Sequence, residues 1–95
     1  MRRAAKVDRN QAEIVRALRQ AGASVQPMHT LGQGVPDLLV GYRCKNFIME
    51  IKNPKQSKRD QLLTPDEKAW HYDWKGTAWI VKSAEEALKL LQEIP

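Results

Sequence analysis

Apolar and polar positions recur along the chain with two periods, and the switches between them mark out the elements. Ile14, Leu18 and Ala21 fall on one face at helical spacing. Asp8-Arg9-Asn10-Gln11 has the form of a capping box, with an acceptor at the cap and Gln three residues on. The pattern predicts a helix over residues 9 to 21, closed by Gly22, which can take the left-handed conformation that ends a helix. A short strand is expected over residues 24 to 28. Gly32, Gly34 and Pro36 punctuate a loop, after which Asp37-Leu38-Leu39-Val40-Gly41-Tyr42 reads as a strand and Arg43-Cys44-Lys45-Asn46 as a turn. Phe47-Ile48-Met49-Glu50-Ile51-Lys52 completes a hairpin. Thr64-Pro65-Asp66-Glu67 opens a second helix with a Thr cap, Pro at the first helical position and Glu at the third, and this helix runs to about residue 75. Gly76 breaks it. Residues 77 to 82 form a β-branched and aromatic strand, and Ser83-Ala84-Glu85-Glu86 is a further capping box before Ala87, Leu88, Leu91 and Ile94 on one face.

The predicted order is α-β-β-β-α-β-α, an α/β fold in which helices flank a mixed sheet. With 95 residues and no internal repeat, residues 1 to 95 are read as one domain, preceded within residues 1 to 8 by a basic arm. Apolar residues make up 42% and charged residues 28%, as in a chain that folds. Cys44 is the only cysteine, which excludes an intrachain disulfide and a cysteine zinc site. His29 and His71 lack metal-ligand spacing, and Ser57 and Ser83 have no paired base, so neither histidine-metal nor covalent nucleophilic chemistry has support. No apolar run reaches the roughly 18 residues of a membrane span, and no apolar segment backs the basic start as a signal peptide would. A soluble protein of the cytoplasm is expected.

The net charge of +5 is lopsided. Residues 1 to 60 hold twelve basic side chains against five acidic ones, whereas residues 61 to 95 hold four against six. The excess concentrates at Arg2, Arg3, Lys6 and Arg9, and again at Lys55, Lys58 and Arg59. Such clusters attract phosphate backbones, which makes DNA the leading partner and an acidic protein surface the second.

The candidate chemistry lies between residues 36 and 52. On a strand, residues i and i+2 share a face, so Glu50 and Lys52 project together while Phe47, Met49 and Ile51 project the other way. The hairpin brings Asp37 beside them. Converging carboxylates repel each other and resist burial, and a divalent cation removes both objections. Mg²⁺, with Mn²⁺ as a substitute, would polarise a phosphoryl oxygen and a bound water, with the lysine beside it. The spacing alone equally allows a solvated Glu50–Lys52 pair, with Asp37 capping a turn.

Gly34-Val35-Pro36-Asp37, Glu50-Ile51-Lys52, Leu63-Thr64-Pro65-Asp66-Glu67 and the strand after Gly76 resemble the PD-(D/E)xK nucleases, most closely the stand-alone phage and bacterial VRR-NUC domains. The resemblance covers nearly the whole chain. It implies a restriction-endonuclease-like α-β-β-β-α-β core with a C-terminal helix. It also implies Asp37, Glu50 and the Ile51 main-chain carbonyl as metal ligands, Lys52 as the catalytic lysine, and Glu13 as an acidic support. Taken on its helical position, at about 40° from Ala17, Glu13 reads as an ordinary solvated side chain. Glu67 stands where the family usually has Gln. It can cap its helix, or support the site by holding Lys52 or a metal-bound water. It also shares a helical face with Trp70 and Trp74, which is expected to point inward.

These features together lead to the expectation of an Mg²⁺-dependent endonuclease acting on branched or four-way-junction DNA in replication, repair or recombination. Trp70, Trp74, Trp79 and the last helix offer surplus apolar surface, from which a homodimer is expected. The alternatives are a non-catalytic DNA-binding or assembly module and a sequence-specific restriction or nicking enzyme.

Overall fold

The central hairpin organises everything else. In the computed structural model, which describes residues 9–95, β2 (Leu38–Tyr42) and β3 (Lys45–Ile51) pair antiparallel, with Leu38 opposite Met49 and Tyr42 opposite Lys45. Their turn needs only Arg43 and Cys44, both left-handed at φ 53° and 63°, so β3 starts two residues earlier than the pattern suggested. Paired left-handed residues match the right-handed strand twist, although neither residue is the Gly or Asn usual there. Arg43 offsets part of that strain: its Nη1 donates to the Ile94 carbonyl at 3.0 Å, and its guanidinium lies 5.2 Å from the Tyr42 ring centre.

β1 (Ser24–Pro27) adds antiparallel to β2, and β4 (Ala78–Val81) adds parallel to β3, giving one mixed sheet in the order β1-β2-β3-β4. A parallel neighbour requires a crossover, and residues 52 to 77 supply it, including α2 (Pro65–Asp73). The expected order of elements holds, with a 3-10 turn, His29–Leu31, added after β1.

One face of the sheet is the core. Leu38, Val40, Phe47, Met49, Ile51 and Val81 are buried there against Ile14, Val15 and Leu18 of α1 (Gln11–Gln20) and Ala87 and Leu91 of α3 (Ala84–Gln92), with Ile94 beyond. Each fully buried aliphatic side chain contributes about 1.5–3 kcal/mol. This corrects one expectation: Ala87, Leu91 and Ile94 close the core of their own chain and are not surplus surface. Trp79 is likewise used internally, its ring 4.7 Å from that of Phe47.

α1 begins at Gln11, with Asn10 at the cap position; the expected cap, Asp8, lies outside the described residues, as do Arg2, Arg3 and Lys6. Asn10 does not cap by its side chain. Its Nδ2 donates instead to the carbonyls of Lys52 at 3.3 Å and Lys82 at 3.0 Å, tying α1 to the ends of β3 and β4. Gly22, at φ 98°, ends the helix as expected. At α3, Ser83 Oγ accepts from Glu86 N at 3.1 Å, but Glu86 reaches back to the amide of Lys82, one residue before the cap.

α2 has the full capping box, with Thr64 and Glu67 bonding each other's amides. None of its residues is fully buried: of the face expected to point inward, Glu67 reaches Lys52 and Trp70 is half-buried, whereas Trp74, just past the helix end, is exposed. The sheet surface beyond the core carries Glu50 and Lys52, which offer indoles no apolar partner. Trp70 and Trp74 stack on each other instead, at 4.7 Å and 18° between planes. No helix among the described residues is long and apolar enough to cross a membrane.

Candidate active site

Alternation along β3 sends Met49 and Ile51 into the core and Glu50 and Lys52 to the opposite face, and all four are buried. Asp37 enters from the end of β2, one step beyond the Leu38–Met49 pair. Its placement is built locally. Pro36 before it is fully buried, the Asp37 carbonyl accepts from Met28 N at 2.6 Å, and Asp37 Oδ2 accepts from the Ile51 amide at 2.7 Å. Residues 14 positions apart are thereby fixed to each other through one carboxylate.

α2 delivers the fourth member. Lys52 Nζ donates to Glu67 Oε1 at 2.7 Å and lies 3.7 Å from Glu50 Oε2. The same Glu67 oxygen accepts from Thr64 N at 2.9 Å, so the cap and the site use one atom. The two roles weighed for Glu67 are therefore not alternatives. Gly34 explains how α2 comes so close. At φ +82° a Cβ on it would stand 2.9 Å from Glu67 N and closer still to the Asp66 carbonyl. Only glycine permits both that conformation and that approach.

The electrostatics follow from burial. Desolvation, followed by the charges of Asp37 and Glu67, pushes the Glu50 carboxyl from 4.5 up to about 10, against the opposing pull of Lys52. Burial would raise Glu67 too, but the hydrogen bonds from Lys52 and from the Thr64 amide outweigh it, and that carboxyl is held below its usual range. Burial also lowers His71, which feels Glu67 and Lys52 in opposite senses. Its Nε2 is buried without a hydrogen-bond partner among the described residues. Sequence reading passed over His71 because it looked for paired histidines.

Among the described residues no three His, Cys, Asp or Glu side chains converge as a metal-holding group. A hard cation of the Mg²⁺ type is commonly held by one or two carboxylates plus waters, so the Asp37–Glu50 pair is compatible with one. Glu50 Oε1 supports the fit: it is buried and receives no hydrogen bond from a described residue, a debt that a cation would settle.

Asp37, Glu50, Ile51, Lys52 and Glu67 thus come together. Glu13 stands apart from them, exposed and without an ion pair to a described residue. It lines a neighbouring cleft of about 320 Å³ with Arg9, Asn10, Asn53, Lys55 and Lys82. Asn10 and Lys82 were not singled out as site residues, because nothing in their spacing announces a contact between residues 72 apart. Lys58 and Arg59 are exposed on the segment leading into α2.

The site thus places two carboxylates and a lysine at the end of the central hairpin of a mixed α/β sheet. A solved structure described as a VRR_NUC domain superposes on the chain with a TM-score of 0.67. It is 22% identical, and the match covers 92% of this chain and 95% of the other. The chain has the VRR-NUC fold. No family profile matches the sequence, and no curated protein matches it.

Proposed function

We propose that the protein is a divalent-metal-dependent endonuclease that hydrolyses DNA phosphodiester bonds. The observation that carries this reading is the convergence of Asp37, Glu50 and Lys52, with Lys52 Nζ held at 2.7 Å by Glu67, on a fold shared with a VRR_NUC domain. Asp37, Glu50 and the Ile51 carbonyl would hold Mg²⁺ or Mn²⁺, which supplies Lewis-acid polarisation of a phosphoryl oxygen and a lowered water pKa. Lys52 places its ammonium beside the phosphate and neutralises charge developing on the non-bridging oxygens. Glu67 orients that ammonium, and Asn10 fixes the backbone of Lys52 from behind. The exposed cations Arg9, Lys55, Lys58 and Arg59 would carry flanking phosphates.

The substrate preference we propose is for shape, such as branched or four-way-junction DNA, and the acting form a homodimer that presents one site to each strand in the cytoplasm. The decisive assay sets duplex, single-stranded, flap and four-way-junction DNA against the protein with Mg²⁺, Mn²⁺, Ca²⁺ or EDTA. Cleavage is expected with the first two, binding with little turnover in Ca²⁺, and none in EDTA. Full activity in EDTA overturns the reading, and DNA binding without cleavage under any metal makes the chain a binding module. Sedimentation at micromolar concentration tests the dimer.

A further inference from the structure

At the end of α2 lies an aromatic stack, half-buried Trp70 against exposed Trp74, that neither the core nor the proposed chemistry uses. Glu67, Trp70 and Trp74 share one helical face at i, i+3 and i+7. The first of them holds Lys52, and the other two stack ring on ring at 4.7 Å. Trp74 caps the C-terminal end of α2 and remains 45% exposed. Its backbone amide donates to the Trp70 carbonyl at 3.1 Å, and its indole lies so close over Gly76 that a Cβ there would stand 2.8 Å from its Nε1. A stacked pair of indoles, the outer one facing solvent, beside a site for a phosphodiester has the form of a platform for bases.

We propose that the Trp70–Trp74 stack binds unpaired bases of the substrate strand next to the cut. The proposal rests on the nuclease reading and supplies its preference for shape. In a duplex the base faces are hidden in the stack, and only an unpaired base can lie flat on an indole. From Glu67 to Trp74 the helix rises about 10 Å, at 1.5 Å per residue, which spans about three nucleotides. The occupant is set by charge and position. The exposed cations Lys55, Lys58 and Arg59 lie on the segment that leads into α2 and attract a phosphate backbone. A second copy seated on this face would cover the approach to Lys52 and bring two basic segments together.

The test measures binding in EDTA, so that it does not depend on turnover, with a fluorescein-labelled duplex and the same duplex interrupted by about three unpaired nucleotides. The wild-type protein should bind the interrupted form on the order of tenfold more tightly. Trp74→Ala and Trp70→Ala should each remove most of that preference and keep the duplex affinity, whereas Trp74→Phe should retain it. A 2-aminopurine among the unpaired bases should change its emission with wild type and not with Trp74→Ala. Circular dichroism and melting confirm that each variant is folded; should one fail to fold, the wild-type preference and 2-aminopurine signal decide. Equal wild-type affinity for the two DNAs overturns the proposal, as does a Trp74→Ala variant that weakens both equally. A Trp74→Ala variant that splits a dimer without changing the preference assigns the face to self-association and also overturns it. In each of these cases Mg²⁺-dependent cleavage that is lost in Asp37→Asn leaves the nuclease reading standing. Failure to bind any DNA overturns both.

Discussion

The two faces of the sheet are built on different principles. On one, α1 and α3 bury Ile14, Leu18, Ala87 and Leu91 against Val40, Met49 and Ile51, and the contacts are apolar and non-directional. On the other, α2 has no fully buried residue and is positioned by close and directional contacts: a glycine against its first turn, one lysine on its capping glutamate, and its own box. The first arrangement yields stability in proportion to area removed from water, whereas the second yields position at little stability. A charged cluster needs the second, because apolar packing would exclude the water and ions on which its chemistry depends. The comparison predicts that substitutions on the two faces separate into those that unfold the protein and those that silence it.

The largest effect on folding should come from Leu18→Ala, which empties part of a fully buried site and should cost about 2–5 kcal/mol in denaturant unfolding. A loss below about 1 kcal/mol would mean that the core is not where stability resides. On the other face, Asp37→Asn, Glu50→Gln and Lys52→Ala should each lower cleavage on the order of 10²-fold or more while the fold survives. Near-wild-type rates in any of the three would return Glu50 and Lys52 to the status of an ordinary ion pair. Gly34→Ala tests the joint between the faces. It should cost about 1–2 kcal/mol for the left-handed backbone alone and displace α2, so that cleavage falls although no charged group has changed. A crystal structure of that variant with the Lys52–Glu67 contact intact would remove Gly34 from the argument.

A subtler contrast lies in pH. Glu50 has its folded pKa raised to about 10 from 4.5, so the stability contributed by its protonated form is fully present below 4.5 and is lost as pH rises through about 10. In EDTA the wild type should therefore lose melting temperature relative to Glu50→Gln as pH climbs between those values, and Mg²⁺ should restore it in wild type only. A gap that does not vary with pH would show that Glu50 titrates as an exposed carboxylate. The smallest expected effect is Lys55→Ala, which should reduce the slope of log affinity against log salt by about 1, measured by anisotropy at several salt concentrations. An unchanged slope would place the DNA elsewhere.

Local chemistry was enough to read the order of elements from the sequence, because each boundary is set by neighbours in the chain: Gly22 after α1, Thr64-Pro65 before α2, Ser83 before α3, and the alternation that sends Glu50 and Lys52 to one side of β3. The hairpin likewise placed Asp37 beside them, since antiparallel register follows from the turn. Contacts between elements were not legible. That Asn10 spends its side chain on two carbonyls 42 and 72 residues away, that α3 is core, and that Trp74 at the end of α2 faces outward all depend on which faces meet. Helical spacing says which side chains share a face and is silent on what that face meets. For Glu67 the sequence offered cap or site, and only the folded chain, with α2 brought against Gly34, let one oxygen serve both.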